Sequence, residues 1–125
     1  MKTPISTSSA PAAIGPYSQA IEANGFVFVS GQIPINPATG ELVEGTIGEL
    51  TNRCLTNAGN ILSAVGLSLA NVVKTTVFLA DMNDFAEMNA EYAKFFSSPA
   101  PARSAVAVKT LPKGVRIEIE CIATR

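Results

Sequence analysis

The chain has 125 residues, 47% hydrophobic and 15% charged, with a formal net charge of -1 and no histidine. That is a core-forming composition for a single domain over 1–125, and without a run of lysine or arginine it argues against charge-driven binding to nucleic acid or membrane. The missing histidine excludes a histidine-based triad; Cys54 and Cys121 lack metal-type spacing, argue against zinc, and read as buried thiols.

The N-terminus, Met1-Lys2-Thr3-Pro4-Ile5-Ser6, has neither the apolar core of a secretory signal nor the arginines of a mitochondrial presequence. No apolar run is long enough to cross a bilayer, so the cytoplasm is the expected compartment. Residues 7–16, rich in Ser, Ala and Pro, read as a loop. Tyr17 to Ala23 alternates weakly as a strand, Asn24-Gly25 is a two-residue hairpin signal, and Phe26-Val27-Phe28-Val29-Ser30 is the most strand-like run. Gly31-Gln32-Ile33-Pro34 breaks it, and Asn36-Pro37-Ala38-Thr39-Gly40 is a further turn.

Thr46 and Glu49 form a capping box for a first helix. Leu50, Cys54, Leu55, Ala58, Ile61, Leu62 and Val65 share one helical face, and Gly66 ends it. The β-branched run from Asn71 to Ala80 predicts a central strand. Asn83 or Asp84 caps a second helix with a core stripe of Phe85, Met88, Tyr92, Phe95 and Phe96, and Pro99 and Pro101 end it.

The last two strands carry the chemistry. Arg103 to Val108 and Val115 to Ala123 alternate with period two around a turn at Leu111-Pro112-Lys113-Gly114, which reads as a hairpin. Arg103, Ala105 and Ala107 share one face of the first arm, opposite Ser104, Val106 and Val108. Glu118 and Glu120 oppose Ile117, Ile119 and Cys121 on the second. With the valines and isoleucines inward, Arg103 and the two glutamates share the outer face. There an arginine fork can bind a carboxylate bidentately and a glutamate can hold or deprotonate a water. The same pattern also fits a cross-strand salt bridge on a wet sheet face, and the turn does not fix whether Glu118 or Glu120 faces Arg103.

The expected architecture is therefore α+β: a mixed sheet with two helices on one face. The other face is left without cover in one chain. Its small apolar residues and the low charge content call for an oligomer.

Ala13-Ile14-Gly15-Pro16-Tyr17-Ser18-Gln19, Val29-Ser30-Gly31-Gln32-Ile33-Pro34, Val73-Lys74-Thr75-Thr76-Val77-Phe78-Leu79, Met88-Asn89-Ala90-Glu91-Tyr92, Pro101-Ala102-Arg103-Ser104 and Ile117-Glu118-Ile119-Glu120 together resemble the RidA/YjgF/UK114 family, in order and spacing and over nearly the whole chain. The resemblance implies a chorismate-mutase-like fold and a homotrimer whose sheets form a central β-barrel, with sites in the clefts between subunits. It implies hydrolysis of 2-imino acids, such as 2-iminobutanoate and 2-iminopropanoate, to 2-oxo acids and ammonia. No metal, nicotinamide or pyridoxal cofactor is implied, and neither nucleic acid nor membrane is an expected partner.

By resemblance, Arg103 binds the substrate carboxylate and Glu118 positions the attacking water. Tyr17 closes over the ligand from a neighbouring subunit, Ser30 and Gly31 wall the pocket, and Asn89 lies beside it. Each has a plainer alternative: Tyr17 as an interface aromatic, Ser30-Gly31 as a bulge, Asn89 as a local backbone bridge. Two departures bear on substrate range. Ala105 stands where many active members have a cysteine, and the loop Ser97-Ser98-Pro99-Ala100-Pro101 is short and lacks an aromatic before Pro-Ala-Arg. The other readings are a non-catalytic trimer that captures small carboxylates, and an RNA-cleaving or translation-inhibiting protein. A binder needs only Arg103, and the near-neutral charge argues against RNA.

Overall fold

The computed structural model describes residues 1–125. Eight strands and two helices follow one another as β1 (Thr3–Ile5), β2 (Ala20–Ala23), β3 (Phe26–Gln32), β4 (Ile35–Asn36), β5 (Glu41–Leu42), α1 (Ile47–Ser63), β6 (Val72–Leu79), α2 (Phe85–Tyr92), β7 (Ala102–Ala107) and β8 (Ile117–Thr124). β1 and the β4–β5 ribbon were not foreseen. Each is two or three residues long, too short for alternation to register.

Local signals place the larger elements. Asn24 and Gly25 both take positive φ, 53° and 78°, as a tight hairpin turn between β2 and β3 demands. β3 then alternates, with Val27 and Val29 buried and Phe26 and Phe28 exposed. At the start of α1, Thr46 Oγ1 accepts from the Glu49 amide at 3.2 Å, and Glu49 Oε1 accepts from the Thr46 amide at 3.0 Å. The predicted stripe from Leu50 to Leu62 is buried. Gly66, at φ 77°, carries the chain out of the helix.

The cap of α2 differs from expectation. Asp81, not Asn83 or Asp84, accepts a capping bond, from the Asn83 amide at 2.8 Å, and it caps a short turn preceding the helix. Asp84 is drawn off to Arg116, whose Nη2 donates to Oδ1 at 3.0 Å.

The main sheet runs β1-β2-β3-β8-β6-β7. The expected hairpin between the last two strands does not form: β8 inserts antiparallel between β3 and β6, and β7 lies at the edge, parallel to β6. The cause is α2, which makes β6-α2-β7 a crossover unit, and a crossover returns the chain parallel to its starting strand. Ile117, Ile119, Cys121 and Ala123 of β8 form a fully apolar row under the helices. Such a row is best satisfied at the centre of a sheet, whereas the alanines and serine of β7 bury little and suit an edge.

Both helices pack on one face, with α1 across β3 and β8. One core cluster joins Val27, Val29, Ile61, Leu62 and Ala123; the other joins Leu50, Cys54, Leu55, Val77, Leu79, Met88, Ile117 and Ile119. The opposite face has no cover within the chain and exposes Phe26, Phe28 and Val106. Neither helix is long and apolar enough to cross a membrane.

Candidate functional site

The sheet register settles which candidate residues meet. Glu118 and Glu120 pair with Phe78 and Thr76 of β6 and project from the open face, opposite the buried Ile117 and Ile119. Arg103 pairs with Thr75, which is buried under the helices. Arg103 therefore shares the helix-covered side of the sheet, and the expectation that it lies on the outer face with the glutamates is overturned. The alternation within each arm is as expected, but β7 turns the Arg103 and Ala105 row inward and Ser104 and Val106 outward. Ala105 packs against the second core cluster rather than on an open face. An Arg103–Glu120 salt bridge is likewise absent; the ion pairs are Lys94–Glu91, Arg116–Asp84 and Arg125–Glu22.

The first half of the site surrounds Glu118. A cavity of ≈ 830 Å³ gathers Tyr17, Ser30, Gly31, Gln32, Lys113, Glu118 and Glu120. Ser30 and Gly31 sit where the β3–β8 pairing slips between Val29 and Gln32, so the bulge reading holds. It also shapes the cavity, because the glycine lets the Glu118 carboxyl lie against the backbone. A Cβ on Gly31 would stand 2.8 Å from Glu118 Cδ and 3.1 Å from Cγ.

Half-burial and the adjacent Glu120 charge push the Glu118 carboxyl above its ordinary 4.5, burial being the larger cause. A carboxyl with raised proton affinity is a better base than a fully solvated one.

The loop carrying Tyr17 is held from below. Ser30 Oγ donates to the Ser18 carbonyl at 2.6 Å. The buried Gln19 accepts from the Thr7 amide at 2.7 Å, and its Nε2 donates to the carbonyls of Thr7 and Pro11 at 3.0 and 2.7 Å. These bonds order residues 7–16 and leave Tyr17 exposed at the cavity rim. Tyr17 thus lines the same cavity as Glu118 within one chain.

The second half surrounds Arg103. Its Nη1 donates to Asn89 Oδ1 at 2.7 Å. Its Cζ lies 4.7 Å from the centroid of the Tyr92 ring and 5.5 Å from that of Phe85. Asn89, Tyr92 and Phe85 all come from α2, whose position over β7 follows from the crossover. The Asn89 side chain is thus spent on Arg103 and not on a local backbone bridge. Two strand spacings and the thickness of the sheet separate Arg103 from Glu118, roughly 10 Å laterally with the side chains aimed apart. One small molecule cannot touch both within a chain.

Gln32 and Lys113 had not been singled out from sequence. Lys113 takes an unusual positive φ of 56° in the turn before β8, which presents it to the cavity. Leu111-Pro112-Lys113-Gly114 marked a turn, but nothing in the pattern tied that turn to Tyr17. Cys54 and Cys121 are free, buried thiols; burial pushes Cys121 up to about 12 and Cys54 further in the same direction, so neither is an available thiolate.

A mixed sheet covered on one face by two helices is the architecture of a known family. The family model described as Endoribonuclease L-PSP matches residues 7–125, and the chain belongs to that family, the RidA/YjgF family. A Bos taurus relative named 2-iminobutanoate/2-iminopropanoate deaminase is 52% identical, over 97% of this chain and 88% of its own. A crystal structure from the conserved Rid protein family of Yersinia pestis superposes with a TM-score of 0.97 at 48% identity, covering 100% of both chains. The crystal structure of Escherichia coli TdcF with bound serine superposes with a TM-score of 0.93 at 44% identity, covering 98% of each chain.

Proposed function

We propose that the protein hydrolyses 2-imino acids, 2-iminobutanoate and 2-iminopropanoate among them, to 2-oxo acids and ammonia. Glu118 is the single observation that carries the proposal: a half-buried carboxyl of raised proton affinity, laid over Gly31 in a cavity walled by Ser30 and Tyr17. The name of the bovine relative supports the same reaction.

The chemistry asks little of the protein. A protonated imine is already electrophilic, so orientation and a placed water suffice. Arg103 holds the substrate carboxylate through its fork. Glu118 takes a proton from water as the oxygen bonds to the imine carbon, giving a tetrahedral carbinolamine. Glu118 passes that proton to nitrogen and then accepts the carbinolamine hydroxyl proton as the carbon–nitrogen bond breaks, so that the carbonyl forms, ammonia leaves, and the last proton goes from Glu118 to ammonia or solvent.

Arg103 and Glu118 lie on opposite faces, so the proposed active site is shared between chains. The open face packs into the central β-barrel of a chorismate-mutase-like homotrimer, which buries Phe26, Phe28 and Val106. Tyr17, Ser30, Gly31 and Glu118 of one subunit then meet Arg103, Asn89 and Ala105 of the next.

The test is loss of freshly generated 2-iminobutanoate. The protein should speed it above the buffer rate, with 2-oxobutanoate as product; decay at the buffer rate rejects the reading. A second reading, a small-carboxylate-binding regulatory trimer, draws on the serine bound to TdcF, and would show as 2-oxo acid binding without turnover. Endoribonuclease action draws nothing from the cavity, which holds two glutamates and one lysine and no histidine.

A further inference from the structure

Tyr92 reads in the sequence as one more core aromatic, yet its two ends are tied to different things. Its hydroxyl shares a hydrogen bond of 2.7 Å with Thr75 Oγ1, and both residues are buried, 6% and 1% exposed. Thr75 pairs directly with Arg103 across β6 and β7. The ring of Tyr92 lies under the Arg103 guanidinium at 4.7 Å, and Phe96 supports the ring with centroids 4.6 Å apart. Burial holds the Tyr92 hydroxyl in its neutral form, so it stays able to donate.

Stacking matters because of what it leaves free. A guanidinium has five N–H donors in one plane. The Tyr92 ring face, 4.7 Å from Cζ, confines the guanidinium by a cation–π contact that takes up no carbonyl or carboxylate acceptor, so its N–H donors stay available. Asn89 takes one donor on Nη1, which sets rotation within the plane. The remaining edge can still offer the two parallel bonds a carboxylate accepts.

We propose that Tyr92, pinned by Thr75, is the positioning residue of the carboxylate receptor: it sets the plane of Arg103 so that the fork is formed before substrate arrives. This rests on the reading of Arg103 as the carboxylate-binding group. Tyr92 does not touch the substrate, so its loss acts on binding and leaves the water step at Glu118 alone.

The test measures KM and kcat for 2-iminobutanoate, and the Kd of 2-oxobutanoate by calorimetry, on the full-length protein. Tyr92→Leu removes the platform and should raise KM and Kd by about tenfold or more, the worth of one charge-assisted bond, with kcat nearly unchanged. In an Arg103→Lys background it should add almost nothing, because the fork it aligns is already gone. Tyr92→Phe keeps the ring and Thr75→Val keeps the shape. Each should raise KM by roughly twofold to threefold, and the double variant should match either alone, since both remove one hydrogen bond. Tyr92→Leu with wild-type KM and Kd, or additive with Arg103→Lys, overturns the proposal. If Tyr92→Leu does not fold, the two conservative variants decide: wild-type KM in both overturns it. Wild type that binds 2-oxobutanoate without speeding imine loss rejects the deaminase reading alone, and calorimetry still tests the platform. Wild type that binds no 2-oxo acid overturns both.

Discussion

Gly31→Ala inserts one methyl where the Glu118 carboxyl lies. Gly31 is outside the positive-φ region, so alanine suits its backbone, and the whole effect comes from the contact. The new Cβ would stand 2.8 Å from Glu118 Cδ, against ordinary contact from 3.4 Å. The carboxyl must therefore retreat by about 0.6 Å or more, or rotate away from the bulge. A misplacement on the order of 1 Å can cost about a hundredfold in rate. Overpacking a rigid core would cost about 1–3 kcal/mol, but this neighbour is a half-exposed side chain that can move, so the stability loss should sit at the low end. The expected result in the imine-loss assay is a fall of about a hundredfold in kcat with little change in melting temperature. The decisive comparison is with Glu118→Gln. If the methyl acts through the carboxyl, Gly31→Ala should add almost nothing in that background. A single mutant within about twofold of wild type, or additive losses, would refute the idea that Glu118 works from its place over Gly31.

Arg103→Lys keeps the charge but loses the planar fork, and should cost about 1.5–3 kcal/mol, roughly tenfold to a hundredfold in kcat/KM; near-wild-type turnover would make Arg103 structural. Glu118→Gln should keep 2-oxo acid binding by calorimetry and abolish imine loss, because an amide is a far weaker base. The raised proton affinity of Glu118 gives a stability sign: the fold favours its protonated form, an advantage present below the unfolded value and lost as pH rises through the folded one. Glu118→Gln should therefore melt higher than wild type at pH 7 and lose that margin in acid, while wild-type kcat/KM should rise with pH through a value above 4.5. The chain should run as a trimer in light scattering, and Phe28→Glu on the exposed sheet face should dissociate it; a wild-type monomer at micromolar concentration counts against the barrel.

Much of this layout can be read from the sequence, and the failures share one cause. Signals local in the chain translate directly: the Thr46–Glu49 box, the Asn24-Gly25 turn, the α1 stripe and the β6 run stand where the residues place them, whereas α2 ends at Tyr92, well before Pro99, and leaves Phe95 and Phe96 beyond the helix. Period-two alternation likewise tells that Arg103 and Ala105 share a side. It cannot tell which side is inward or which strand lies next to which, because those depend on partners distant in sequence. The short path from β7 to β8 favours a hairpin, yet β6-α2-β7 is itself a crossover pattern, and the apolar row of β8 suits a central place. Reading the crossover first would have put β7 parallel to β6; the side on which Arg103 lies follows only from its register with Thr75. Gln32 and Lys113 lay beyond reach for the same reason: the cavity joins loops separated by most of the chain.

The most direct test of a site shared between subunits is complementation. Arg103→Gln and Glu118→Gln chains, each nearly inactive alone, can be co-expressed with different tags and purified as mixed assemblies. In any mixed ring of three, one junction of the three joins an intact Glu118 to an intact Arg103, so about one third of wild-type imine-loss activity should return. Mixed assemblies no more active than their two parents would contradict a shared site.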